Sequence, residues 1–158
     1  MKPLLLIAPL GEQHIPALGT LFEQAIRHTG PQHYSPEQVE KWALGARHPG
    51  FVSQLREHHG WVAMLGDAPA GFVTLSADGH LSLLYVGAAH QRQGLGNLLL
   101  TTALAGARAL GICAITTEAS AFSYELFLRH GFTLTGVESV ERGGVSFTRH
   151  RLHCCLPS

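Results

Sequence analysis

Cysteine is nearly missing from this chain: three in 158 residues, at Cys113 and the adjacent pair Cys154 and Cys155. Neighbouring cysteines rarely bond to each other, and three supply neither a disulfide framework nor a metal-site spacing. A reducing, cytoplasmic setting is expected. Charge is also scarce, at 14% of residues, and it balances: 11 Lys and Arg against 11 Asp and Glu. A neutral chain has no bulk field with which to draw in nucleic acid or a membrane surface, so neither partner is expected. Long apolar runs are lacking too. Leu4 to Leu10 is too short to span a bilayer and carries no small-residue cleavage site, so it reads as neither anchor nor signal peptide. Histidine is plentiful, with 11 copies, but most fall on expected loops and helix ends. His58-His59 has no carboxylate or cysteine pair beside it, and no metal site is predicted. What the chain does have is apolar residues, at 46%. That excludes disorder and suits one domain over residues 1–158 with a real core.

The elements follow from periodicity and punctuation. Leu4–Ile7 reads as a strand, stopped by Pro9 and Gly11. Ile15, Leu18, Phe22, Ala25 and Ile26 mark one face of a helix that fades near His28–Pro31. Ser35-Pro36-Glu37-Gln38 is a helix start, with Ser as cap, Pro in the first turn and Gln closing a capping box. Phe51, Val52 and Leu55 suggest one more helical turn. Trp61–Leu65, Gly71–Ala77 and Leu81–Val86 read as an antiparallel meander, with Asp78-Gly79 as its second hairpin turn. A helix follows, then a β-branched run at Ile112–Thr117 that reads as a buried parallel strand. A helix from Ser120 to His130 and a closing hairpin, Thr133–Val140 with Val145–Cys154, complete the chain.

The stretch Leu81–Gly111 organises the rest. It runs strand, loop, helix, and the loop contains Gln91-Arg92-Gln93-Gly94-Leu95-Gly96. Such a loop turns backbone N–H groups into one concavity beside a helix N-terminus, where the first amides lack partners and the dipole favours an anion. A Cβ at Gly94 or Gly96 would hold a bulky ligand off the backbone. Two glycines alone equally suit an ordinary turn. A P-loop is excluded because no Lys-Ser or Lys-Thr follows them. A dinucleotide fingerprint finds its acid in Glu118, about 20 residues on. It lacks its third glycine, however, since Leu99 stands there.

Gln91-x-x-Gly94-x-Gly96 between an apolar strand and a Leu/Ala-rich helix resembles the pyrophosphate loop of the GNAT superfamily of N-acetyltransferases. Phe127-Leu128-Arg129-His130-Gly131-Phe132 resembles a second block of the same family. His28-Thr29-Gly30 through Trp42 looks like a subgroup of small bacterial members. The resemblance implies a mixed α/β fold: a mostly antiparallel central sheet with one splayed parallel pair and helices on both faces. It implies acetyl-CoA as cosubstrate and a primary amine, of a small molecule or a peptide, as acceptor. The backbone of Gln91, Arg92, Gln93, Gly94, Leu95, Gly96 and Asn97 would hold the pyrophosphate. The pantetheine arm would add like a strand along Leu84, Tyr85 and Val86, with Ser120, Ser123 and Phe127 on the other side of the cleft.

For the chemistry, a base must take the proton of the attacking ammonium. Glu118, the lone carboxylate between Asp78 and Glu125, is the first candidate and His80 the second. Each has a plainer reading, as a solvated strand-end acid or a loop histidine. A backbone N–H near Val86 would serve the developing oxyanion. The family's usual tyrosine acid, four residues before the Gly-Phe pair, is here Phe127, so Tyr124 and Tyr85 are the hydroxyl candidates. Phe127 also keeps open a non-catalytic acyl-CoA-binding module. His28, Tyr34 and Trp42 are expected to shape the acceptor pocket. A homodimer is entertained, through the closing hairpin.

Overall fold

The computed structural model describes residues 4–157. Seven strands form one sheet: β1 (Leu5–Pro9), β2 (His59–Leu65), β3 (Ala68–Leu75), β4 (His80–Val86), β5 (Ala114–Ala119), β6 (Thr133–Arg142) and β7 (Val145–Cys155). Their order across the sheet is β1-β2-β3-β4-β5-β7-β6, and every neighbouring pair is antiparallel except β4 with β5. Five α-helices cover it: α1 (Ile15–Thr29), α2 (Pro36–Ala43), α3 (Pro49–Glu57), α4 (Leu95–Ala109) and α5 (Tyr124–Arg129). The expected mixed fold, with one parallel pair and helices on both faces, is what the chain adopts.

Each face has its own core. On one, Leu99, Leu100, Ala103 and Ala107 of α4 pack on Val73, Leu75, Ile115 and Leu152. On the other, Leu18, Phe22 and Ile26 of α1 pack with Phe51, Leu55, Val62 and Phe72. Full burial of side chains this size stabilises by about 1.5–3 kcal/mol each. α4 sits close because Gly106 lies on the Trp61 indole, where a Cβ would overlap the ring.

Local chemistry sets the boundaries. The capping box at Ser35 is complete: Ser35 N–H donates to Gln38 Oε1 at 2.9 Å and Gln38 N–H to Ser35 Oγ at 3.2 Å. At the end of α4, Gly111 takes φ 76° and Ile112 N–H turns back to Ala107 O at 2.9 Å. That turn absorbs Ile112 and Cys113, so β5 begins at Ala114, later than the apolar run suggested. The helix expected from Ser120 is shorter as well. Ser120 N–H donates to Ser123 Oγ at 3.0 Å and Ser123 N–H to Ser120 Oγ at 3.3 Å. These reciprocal bonds hold a non-helical turn, and α5 starts only at Tyr124. Cys154 is buried and Cys155 exposed, as alternation on β7 requires.

The feature that positions the site is the parallel pair. β4 and β5 are paired only at His80 with Thr116 and Leu81 with Thr117. Beyond that they part. The cause lies in β4: Thr74 opposes Leu83 while Leu75 opposes Leu81, which leaves Ser82 as an extra, bulged residue. A bulge bends its strand and increases its twist. It also re-aims the side chains: Leu83 and Tyr85 face the α1 core, while Leu81, Leu84 and Val86 face the α4 core.

Candidate active site

A cavity of about 790 Å³ opens where β4 and β5 diverge, walled by both strands, by α2 and by the tip region of the β6–β7 hairpin. His80 and Glu118 stand at its root. Thr116, opposite His80, lies two residues before Glu118, so the side chains share a face, and His80 Nε2 lies 2.5 Å from Glu118 Oε2. The two base candidates are therefore one hydrogen-bonded pair, each about a third exposed, at 36% and 29%.

Tyr85 lines the same cavity. Trp42 Nε1–H donates to Tyr85 Oη at 3.3 Å, which leaves the phenol's own hydrogen free for another acceptor. Phe22 and Phe72 flank the ring at 4.6 and 5.9 Å. Burial pushes its pKa up to about 12, so it is a donor at neutral pH and not a base. Tyr34 Oη accepts from Ala121 N–H at 2.9 Å and so ties the α1–α2 connection to the loop before α5. Trp42 stacks on Phe122 at 5.5 Å and meets Tyr34 edge-on at 5.2 Å. Leu84, Ser120, Ser123 and Phe127 also line the cavity. Phe127 is 2% exposed and packs on Phe132, so the position of the family's tyrosine is here apolar core. Two expected residues lie elsewhere. His28 is exposed on α1, and Tyr124 is packed on His150 at 4.4 Å; neither lines the cavity.

The glycine loop lies at the far end of β4. Gln91 Nε2–H donates to Val86 O at 2.6 Å and pins the loop to the strand end. Arg92 and Gly94 take φ 61° and 83°. The first amide of α4 to reach a carbonyl is Leu98, on Gly94 O at 3.1 Å. Among the described residues, the N–H groups from Gln91 to Asn97 have no backbone partner. Arg92, Gln93, Gly94 and Asn97 are exposed, while the Leu95 side chain is buried and contributes only backbone. Gly96 lies at the α4–α5 crossing, where a Cβ would stand 3.2 Å from Leu126 Cδ2. Asn97 Oδ1 is tied to His130 Nε2 at 2.9 Å, and burial, with Arg129 beside it, holds the His130 pKa low.

Sequence reasoning missed Phe122, Phe147, Lys41 and Arg142, all of which line the cavity. Only tertiary structure brings them in: Gln38 Nε2–H donates to Ser146 O at 2.8 Å and draws the β6–β7 hairpin over α2. Among the described residues no three His, Cys, Asp or Glu side chains are grouped to hold a metal, and no helix is long and apolar enough to cross a membrane.

A parallel pair that parts at a bulge, with an open-amide loop at the end of its first strand, is the architecture of an acetyltransferase of the GNAT type. The Acetyltransferase (GNAT) domain profile matches residues 31–154. The chain is 29% identical over 131 residues to the uncharacterized N-acetyltransferase YafP of Escherichia coli (strain K12), which covers 83% of each. Its fold superimposes on a GCN5-related N-acetyltransferase from Rhodopseudomonas palustris with TM-score 0.90 at 24% identity, covering 99% of this chain and 97% of that one. The PaiA N-acetyltransferase of Thermoplasma acidophilum, solved with coenzyme A, matches with TM-score 0.78 at 16% identity over 97% and 99%. The chain belongs to the GNAT family of acetyltransferases.

Proposed function

We propose that this protein moves the acetyl group of acetyl-CoA to the primary amine of a small molecule or peptide. One observation carries the reading. The free edge of β4 links two halves of a reaction site, unpaired amides at residues 91–97 and the His80–Glu118 pair at the root of the splay. PaiA, which shares the fold, was solved with coenzyme A, and that supports coenzyme A as the ligand here. The loop residues fit its diphosphate: their amides are open, Gln91 fixes the strand–loop corner, and Gly94 supplies the left-handed turn before α4. The edge from Leu84 to Val86 suits an amide-rich arm added as a strand.

The chemistry needs a neutral amine. Its lone pair forms the new C–N bond as the C–S bond breaks, and its proton passes to the His80–Glu118 pair, directly or through one water. The sulfur leaves as thiolate and takes up a proton afterwards. With Phe127 lacking a hydroxyl, Tyr85 is the donor that lines the cavity, and a thiol pKa near 8.5 lets the sulfur leave with little help. A backbone N–H on the open edge of β4 serves the carbonyl oxygen. The test is thiol release, read with a disulfide dye, on mixing acetyl-CoA with a panel of primary amines. Acetylated amine in step with free thiol is the expected result. Coenzyme A binding without thiol release across the panel would favour the acyl-CoA-binding module that Phe127 keeps open.

A further inference from the structure

The charge inside the cavity is lopsided although the chain is neutral overall. Glu118 is the one carboxylate among its lining residues, against Lys41, Arg142 and Arg149. Arg149 is answered by Glu138 at 2.5 Å. Lys41 and Arg142 have no carboxylate within 4.0 Å among the described residues. Both line the cavity beside the tip of the last hairpin. The Lys41 side chain lies directly against Gly143, the residue after Arg142, where a Cβ would overlap its ammonium end. Arg142 and Tyr85 line the same cavity. So the cavity has an acidic root at Glu118, aromatic walls at Tyr34, Trp42, Phe122 and Phe147, and a cationic rim at Lys41 and Arg142.

We propose that the acceptor is an amino-carboxylate: a primary amine on a flat apolar body that ends, away from the amine, in a carboxylate held by Lys41 and Arg142. This rests on the transferase reading above and names its substrate class. The amine end meets the His80–Glu118 pair, the body lies against the aromatic wall that Trp42 and its neighbours form, and the planar guanidinium of Arg142 matches a carboxylate in two-point geometry. An acceptor lacking the anion would leave two cations unanswered at the rim. One carrying a second cation there would be repelled.

The probes are 4-(aminomethyl)benzoate and 4-(aminomethyl)benzamide, which present the same amine on the same ring and differ in the anion. With acetyl-CoA, kcat/KM for the benzoate should exceed that for the benzamide by about tenfold or more, mostly through KM. The preference should shrink in 0.5 M salt. In the Lys41→Met, Arg142→Met double variant the ratio should fall toward one. A ratio within twofold in the wild type, or one untouched by the double substitution, overturns the proposal. Binding is read separately from quenching of tryptophan fluorescence, since Trp42 lines the cavity and Trp61 lies in the core under α4. If no thiol is released from either amine but the benzoate still binds about tenfold more tightly, the transferase reading fails and the anion site stands. If both bind alike, the anion site fails whatever the turnover.

Discussion

His80 Nε2 lies 2.5 Å from Glu118 Oε2, across the last rung that β4 and β5 share before they part. The two form one hydrogen-bonded unit and are expected to act together in taking the proton of the amine. Glu118→Gln and His80→Phe are each expected to lower kcat by about 10²–10⁴, the usual worth of a positioned base. The double variant should be little worse than either single one, because members of a unit do not add. The KM for acetyl-CoA should hardly move. Steady-state kinetics on the three variants checks this, and kcat within twofold of wild type in both single variants removes the pair from the mechanism.

The second prediction concerns Tyr85. Burial raises its pKa from the ordinary value near 10 to about 12. The folded protein therefore holds this proton more tightly than the unfolded chain does. The stability it contributes is fully present below pH 10 and is lost as pH rises through the window from 10 to about 12. The chain has three tyrosines. Absorbance at 295 nm should show one of them titrating late, and Tyr85→Phe should delete that late step alone. A Tyr85→Phe protein that still shows the delayed phenol would contradict the assignment.

The parts of this molecule that were legible in the sequence are those written by local chemistry. Gln91 and Gly94 announce a strand-to-helix loop because each does its work within a few residues: Gln91 reaches Val86 O, and Gly94 takes a left-handed φ. Ser35 and Gln38 announce α2 in the same way. His80 and Glu118 were nameable singly as strand-end groups, but the bond between them was not, because it depends on the register of two strands 38 residues apart. The bulge at Ser82 that opens the cleft leaves no mark in composition. The cationic rim was invisible for a like reason: Lys41 and Arg142 come to line one cavity only when the last hairpin folds over α2. Tyr124 and His28 do not reach the cavity: Tyr124 opens α5 packed on His150, and His28 lies exposed in the last turn of α1.

The third prediction tests the α4 packing. Gly106 touches the Trp61 indole so closely that any β-carbon overlaps it, and a rigid fused ring yields only if the whole indole swings away. Gly106→Val should cost about 1–3 kcal/mol through overpacking, a fall in Tm of about 3–10 °C for a chain of this size. Differential scanning calorimetry reads it, with Gly19→Val, where nothing lies within 4 Å of the added carbon, as the control with open space. A Gly106→Val protein that melts with the wild type would show that the helix stands further off the sheet.

The fourth prediction isolates the anion loop. A tryptophan at Gly96 looks like a clean block from the sequence, yet Leu126 Cδ2 would lie 3.2 Å from its Cβ, so the variant would also pry α5 from α4. Gln93 is the better site, because it is exposed and sits between Gln91 and Gly94 in the run of open amides. Gln93→Glu adds a negative charge and almost no volume. At 4 Å in water a like-charge contact costs about 1 kcal/mol, a factor of about five, and two phosphates roughly double the repulsion. The Kd for coenzyme A should therefore rise about five- to tenfold or more at low ionic strength. The difference should nearly vanish at 1 M salt, where the screening length is about 3 Å. Tm without ligand should stay within about 1 °C, because no packed group has moved. Isothermal calorimetry at the two salt concentrations decides the matter. Equal Kd values for the two proteins at low salt would mean that the diphosphate is held somewhere other than residues 91–97.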